Sequence, residues 1–168
     1  HKIRQSLARR QPDLTLITDQ VYKGHNLAAM RRTCDAFAVG KIHAVIPKDQ
    51  PNKRYAGICA GTYKRVKLNR HASIEEAISE VKEQGMRVVS ADLSETAVDY
   101  QSYDFTQPVA ILMGAEEVGV SEEARGLVDD SVHIPMYGLV ESLNVSVAFA
   151  LILSEACRQR EAKGMFES

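Results

Sequence analysis

A chain of 168 residues, 45% hydrophobic and 26% charged, has room for one domain with its own core and not for two comfortable ones. Its formal net charge of −1 argues against a nucleic-acid binder that works by bulk positive charge, and no apolar run reaches the roughly 18 residues of a membrane-spanning helix. Three cysteines, Cys34, Cys59 and Cys157, are far apart and odd in number, which argues against a disulfide framework and for a reduced, cytoplasmic protein. The first ten residues, His1 to Arg10, are basic and lack the apolar core of a secretory signal. Because translation begins with methionine, residues are expected to precede His1.

Taken in chain order, short apolar runs alternate with helical stretches, the pattern of an α/β domain with a mainly parallel sheet flanked by helices. Leu14–Thr18 reads as the first strand. From Asn26 to Ala38, the residues Leu27, Met30, Cys34, Phe37 and Ala38 recur at helical spacing. Asn26 stands where that helix's N-cap belongs, and Arg32 lies on the face opposite the apolar stripe. Strands follow at Ile42–Ile46 and Val66–Leu68. Ser73 with Glu76 forms a capping-box pattern for a helix to Gln84, closed by Gly85. Arg87–Ala91 and Val109–Met113 are further strands, and several of the expected strands are continuous β-branched or aliphatic runs, as expected of strands covered on both faces. Ser121 opens a helix to Val128 with Glu122 and Glu123 at its positive end, and Ser131–Ile134 is the last expected strand. The final helix, about Leu143 to Arg160, is apolar nearly all round. Such a helix must be buried on all sides, either as the central helix of one monomer or, the favoured reading, between the sheet and a second subunit, and hence in a homodimer.

Charge distribution adds one observation. Lys2, Arg4, Arg9 and Arg10 cluster at the start, Lys64, Arg65, Lys67 and Arg70 in the middle, and Arg158, Arg160 and Lys163 near the end. Each cluster could be a solvated face; converging on one side they would make an RNA footprint. The histidines are scattered and the cysteines isolated, so no metal is expected.

Three segments carry polar groups where plain structural sequence would not need them. The first, Lys23 to Thr33, holds Asn26 and Arg32; the fork of donors on an arginine suits a phosphate or a developing oxyanion. The second, Ile111 to Gly119, runs a strand into a loop bracketed by Gly114 and Gly119 and carrying Glu116. In a parallel sheet that loop sits at a strand's carboxyl end, where ligands bind. Its glycines are wrongly spaced for a dinucleotide fingerprint. The third, Ile134 to Ser146, places Ser142, Asn144 and Ser146 at the mouth of the apolar helix. Ser142 there is either that helix's cap or a functional group.

In this order the three segments resemble the three motifs of the SPOUT methyltransferases, in the SpoU-type branch that methylates ribose 2′-hydroxyls, and the likeness covers essentially the whole chain. It implies one domain over residues 1–168, with a basic N-terminal extension at about 1–13 and a C-terminal part threaded into a deep trefoil knot. It also implies S-adenosyl-L-methionine as cofactor, held by Ala91, Gly114, Ile134, Met136, Ser142 and Leu143. Arg32 would be the central catalytic group, facing the cofactor of the other subunit, with Asn26, Glu116, Ser142 and Asn144 positioning ribose and cofactor. Within the branch, residues 8–14 resemble the N-terminal extension of members acting on a D-loop guanosine of tRNA. The expected substrate is therefore tRNA, gripped by Arg9, Arg10, Arg158 and Arg160. Ribosomal RNA as substrate, or a non-catalytic RNA-binding module on the same fold, are the alternatives.

Overall fold

A computed structural model describes residues 10–21, 24–46, 65–115 and 120–166. Among them, β1 (Leu14–Asp19), β2 (Lys41–Val45), β3 (Lys67–His71), β4 (Arg87–Ala91), β5 (Val98–Asp99), β6 (Val109–Met113) and β7 (Asp130–His133) form a seven-stranded sheet. The order is β3-β2-β1-β6-β4-β7-β5, and every pair is parallel. Four α-helices cover it: α1 (Gly24–Ala36), α2 (Ile74–Glu83), the single turn α3 (Glu122–Arg125) and α4 (Val145–Ala162).

Period-two alternation assigns each strand residue to a face. Leu16, Val89, Ile111 and Met113 join Met30 and Cys34 of α1 and Phe149, Ile152 and Ala156 of α4 in one core cluster. Ile17, Val88, Ala110 and Leu112 join Ile78 and Val81 of α2 and Ala124 of α3 in another. Strands buried on both sides read as near-continuous aliphatic runs, which is why β6 and the apolar stretches of β1 and β4 are plain in the sequence. The edge strand β3 is not. It reads Lys-Leu-Asn-Arg-His, with its first residue exposed, so the expected Val66–Leu68 catches only its start. The two-residue β5 carries no pattern to find.

Helix ends follow local chemistry. Ser73 caps α2 by accepting from the Glu76 backbone N–H at 3.2 Å, and the Glu76 carboxylate accepts from the Ala72 N–H at 3.3 Å. Gly85 takes φ +85°, and the N–H groups of Gly85 and Met86 return to the carbonyls of Lys82 and Val81. That Schellman closure needs a left-handed residue, which glycine supplies without a side-chain clash. One expectation is corrected: Asn26 is not the N-cap of α1, because it lies inside the first turn with its side chain engaged elsewhere. Of the two readings open for Ser142, the helix cap is excluded, since Asn144 caps α4.

Before β1, Gln11 is buried, and its backbone N–H donates to the Ala38 carbonyl at 3.4 Å.

At the other end of the sheet, Arg87 and Asp130 lock neighbouring strands β4 and β7. The Arg87 guanidinium donates to both Asp130 oxygens at 2.9 and 3.1 Å, and the Tyr103 hydroxyl adds a bond of 2.6 Å. The Arg87 hydrogen bonds hold the Asp130 carboxyl below its usual range. A depressed folded-state pKa contributes stability that is present above the unfolded value of about 4 and is lost as pH falls below it. Asp130→Asn should therefore be less stable than wild type in urea at neutral pH. The gap should close as both are titrated below about pH 3; a gap independent of pH would mean the carboxylate charge is not what stabilises.

Candidate active site

A pocket of about 590 Å³ opens at the carboxyl ends of β4, β6 and β7, the edge where open parallel sheets bind ligands. Ala91, Asp92 and Leu93 follow β4, Gly114 and Ala115 follow β6, and Ile134 and Met136 follow β7. The loop Glu141 to Asn144 closes one wall, while His25 and Asn26 of α1 and Ala148 and Ile152 of α4 form another. The size is typical of small-molecule sites, as are apolar walls carrying a few placed polar groups.

All six residues expected to hold a cofactor, Ala91, Gly114, Ile134, Met136, Ser142 and Leu143, line this pocket, together with Asn26 and Asn144. Asn144 joins the first and third segments physically. Its Nδ2 donates to Oδ1 of buried Asn26 at 3.2 Å, while its Oδ1 accepts from the N–H of Ser146 at 2.9 Å and of Val147 at 3.4 Å. One side chain thus caps α4 and ties it to α1. Asn144→Ala should cost about 1 kcal/mol through the lost cap, read by thermal denaturation, and should weaken ligand binding in the pocket by loosening its wall. Unchanged stability together with unchanged binding would remove Asn144 from both roles.

Glu116 and Arg9 lie outside the described residues. Arg32 does not line the pocket of its own chain. It is exposed on α1 and makes no hydrogen bond or ion pair among the described residues. Its neighbour Arg31 is the opposite case, buried and donating to the Val66 carbonyl at 3.0 and 2.5 Å.

The expectation for Arg160 is overturned. Its side chain is 0% exposed. It donates to Asp13 Oδ1 at 2.7 Å, to Gln11 Oε1 at 3.0 Å, and to the carbonyls of Phe105 and Gln107 at 2.8 and 2.9 Å. A guanidinium so fully engaged cannot grip a nucleic-acid backbone. Arg10 is half-buried, bent so closely over Gly40 that a Cβ there would come 2.9 Å from its Nε, and it donates to the Arg65 carbonyl at 2.7 Å. Arg158 is exposed and holds both oxygens of Glu155 at 2.8 Å. The hydrogen bonds from Arg158 keep the Glu155 carboxyl below its usual range.

Some lining residues escaped the sequence. Asp92 receives Arg125 of α3 at 3.0 Å across the pocket rim. The rule that ligands meet the ends of parallel strands pointed to Ala91 and could have reached one residue further; nothing local marks Arg125. Asp19, at the end of β1, is buried and accepts from the Ser121 hydroxyl at 2.7 Å, fixing the start of α3 just beyond the second segment. Far from the pocket, two of the histidines that look scattered in sequence meet: His43 and His71 lie against each other beside Glu80. The expectation of scattered histidines is corrected accordingly.

Residues 13–154 match the model of the SpoU rRNA Methylase family. The chain belongs to that family. Its three motif segments are the ones brought to the pocket region above. The chain is 47% identical over 165 residues to the tRNA (guanosine(18)-2'-O)-methyltransferase of Escherichia coli (strain K12), covering 98% of this chain and 72% of the relative. The crystal structure of the A. aeolicus TrmH/SpoU tRNA modifying enzyme superposes with a TM-score of 0.85 at 36% identity, over 98% of this chain and 84% of that one. The SpoU methyltransferase AviRb from Streptomyces viridochromogenes, in complex with the cofactor AdoMet, gives a TM-score of 0.76 at 26% identity. There, 93% of this chain and 61% of that one are covered.

Proposed function

We propose that this chain transfers a methyl group from S-adenosyl-L-methionine to the ribose 2′-hydroxyl of a D-loop guanosine in tRNA. The observation that carries it is the pocket at the carboxyl ends of β4, β6 and β7, in which Asn26, Gly114, Ser142 and Asn144 meet. A SpoU relative 47% identical over nearly the whole chain bears the name of that reaction. The residues fit the cofactor: apolar walls from Val132, Ile134, Met136 and Leu143 suit an adenine, and Asp92, Glu141, Ser142 and Asn144 offer polar partners for ribose and amino acid. A family member carries AdoMet. When bound, the cofactor supplies an electrophilic methyl on a sulfonium.

What the chain must add is position and charge. A hydroxyl is a weak nucleophile, and holding it in line with the methyl contributes much of the rate. Asn144, locked between Asn26 and the first turn of α4, orients the pocket mouth. Arg32 stabilises the alkoxide that develops and holds the adjacent phosphate, and the hydroxyl proton passes to solvent water as the methyl is transferred. Glu116, by the family resemblance, helps position ribose and cofactor.

Arg32 meets the cofactor of a second copy, which makes the working unit a homodimer. Support comes from α4, whose outer face exposes Val147 and Leu151, and from exposed Tyr137, Leu139 and Val140 before it. An apolar set of this kind is what a partner subunit covers. The chain acts as one domain, with its C-terminal part threaded as the trefoil knot of the family. β7 entering between β4 and β5 is consistent with this. RNA contacts come from Arg9 and Arg158. Among the described residues no helix is long and apolar enough to cross a membrane; the substrate places the work in the cytoplasm.

Incubation with tritium-labelled S-adenosyl-L-methionine and unmodified tRNA transcripts, followed by nuclease digestion, should yield labelled 2′-O-methylguanosine. Label in ribosomal RNA fragments and none in tRNA would move the substrate. No label in either, from protein that binds the cofactor, would leave an RNA-binding module.

A further inference from the structure

On the sheet face covered by α2, away from the pocket, three ligand-type side chains converge. His43 pairs in register with Ile17, whose side chain belongs to the α2 core cluster. His71 ends the edge strand β3, and Glu80 lies on α2. His43 Nδ1 is 2.9 Å from His71 Nε2, and Glu80 Oε2 is 3.2 Å from each of them. The imidazoles are 0% and 8% exposed.

Hydrogen bonding alone leaves this cluster poorly satisfied. Glu80 Oε2 is buried and near both nitrogens, yet it is aligned with neither ring closely enough to accept a hydrogen bond. The outer nitrogens, His43 Nε2 and His71 Nδ1, are likewise buried without a partner among the described residues. The two facing nitrogens hydrogen-bond each other, and with Glu80 Oε2 they form a compact set of three ligand atoms that one cation could bridge in place of that hydrogen bond. Zinc binds imidazole nitrogen and carboxylate oxygen at about 2.0–2.2 Å, so tetrahedral ligands stand about 3.3 Å apart. The observed separations fall a few tenths of an ångström below that.

We propose that His43, His71 and Glu80 bind one divalent ion of the zinc class, with a fourth position left to water. Two imidazoles and one carboxylate suit zinc, and cobalt or nickel as substitutes, better than calcium or magnesium, which prefer all-oxygen sites. None of the three residues lines the pocket, so the ion takes no part in methyl transfer. It fastens the end of edge strand β3, which pairs only with β2, to both β2 and helix α2.

The test uses full-length, tag-free protein stripped with a chelator, dialysed, and titrated with Zn2+ or Co2+. One ion per chain should bind, zinc should raise Tm, and Co2+ should show the visible bands of a four-coordinate nitrogen–oxygen site. Glu80→Gln, at a half-exposed position, should keep the fold and lose roughly tenfold or more in affinity, the loss that even an outer-shell partner causes; His71→Gln should behave alike. Binding as tight as wild type in both variants overturns the proposal. So does wild-type protein that takes up no stoichiometric ion, or a cobalt spectrum with a thiolate charge-transfer band. If either variant fails to fold, the wild-type stoichiometry and spectrum decide alone. Cofactor binding by the stripped protein should be unchanged, which keeps this test separate from that of the methyl-transfer pocket.

Discussion

Arg32→Ala is expected to lower single-turnover methyl transfer by at least about 10²–10³-fold, the loss seen when one preorganised charge-stabilising donor is removed, while cofactor affinity stays nearly unchanged. The structure makes this a clean experiment. Arg32 is exposed on α1 and makes no hydrogen bond or ion pair among the described residues, so its truncation should leave stability within about 0.5 kcal/mol. It is also absent from the lining of its own chain's pocket, so cofactor contacts are not touched. Arg32→Lys keeps the charge without the planar fork and should recover only part of the rate. Mixing Arg32→Ala subunits with subunits impaired in the pocket, such as Asn144→Ala, separates action within a chain from action across a dimer. Activity regained on mixing requires the arginine of one copy to serve the pocket of another. An alanine variant with near wild-type rate would take Arg32 out of the mechanism.

Arg160→Met should be the most destabilising single change considered, and it should act on folding rather than on RNA. The side chain is fully buried and joins three separate parts of the chain: Gln11 and Asp13, the carbonyls of Phe105 and Gln107, and its own helix α4. Asp13 is 36% exposed, so most of the loss comes from the buried and half-buried acceptors left without their donor, the Gln11 amide and the Phe105 and Gln107 carbonyls, at about 1–3 kcal/mol for each group stranded. For a protein of this size the combined loss is a fall in Tm of roughly 10 °C. Methionine retains much of the volume, so the loss reports hydrogen bonds and charge rather than a cavity. If the folded fraction of Arg160→Met binds tRNA with an unchanged salt slope, the residue is structural; a flattened slope with intact stability would restore it to the RNA interface. Arg158→Gln is the proper comparison, because that side chain is 66% exposed.

The residues that declared themselves in the sequence did so because one local force dominates each. β6 is covered on both faces and apolar at every position, and β1 and β4 are apolar at most of theirs; α2 carries its own cap and its own glycine stop. The pocket was legible for a different reason. Asn26, Gly114, Ser142 and Asn144 stand next to apolar runs that have no use for them, and strand-end logic together with the family likeness assigns them to one site. What was hidden depends on partners far along the chain. Arg160 reads as one of three clustered cations, and only Gln11 and Asp13, some 150 positions away, turn it into a core residue. Arg125 meets Asp92 through the fold alone, and His43 finds His71 only because β2 and β3 pair in register. Asn26 misled by offering a familiar local role, the helix cap, when its side chain serves Asn144 instead.

The order in which strands enter the sheet bears on how the chain comes off the ribosome. β1 and β4 do not touch; β6, synthesised after both, is the strand that joins them, and β7 then separates β4 from β5. A nascent chain that ends before Val109 therefore holds one sheet fragment, β3-β2-β1, and two unpaired strands, β4 and β5, each waiting for a strand not yet made. Contacts so distant in sequence pay their loop-closure entropy before any reward, which slows folding and lengthens exposure to aggregation. Refolding from denaturant should accordingly be slow for a protein of this length, and deletions that cut into β6 should yield insoluble chains rather than smaller folded ones.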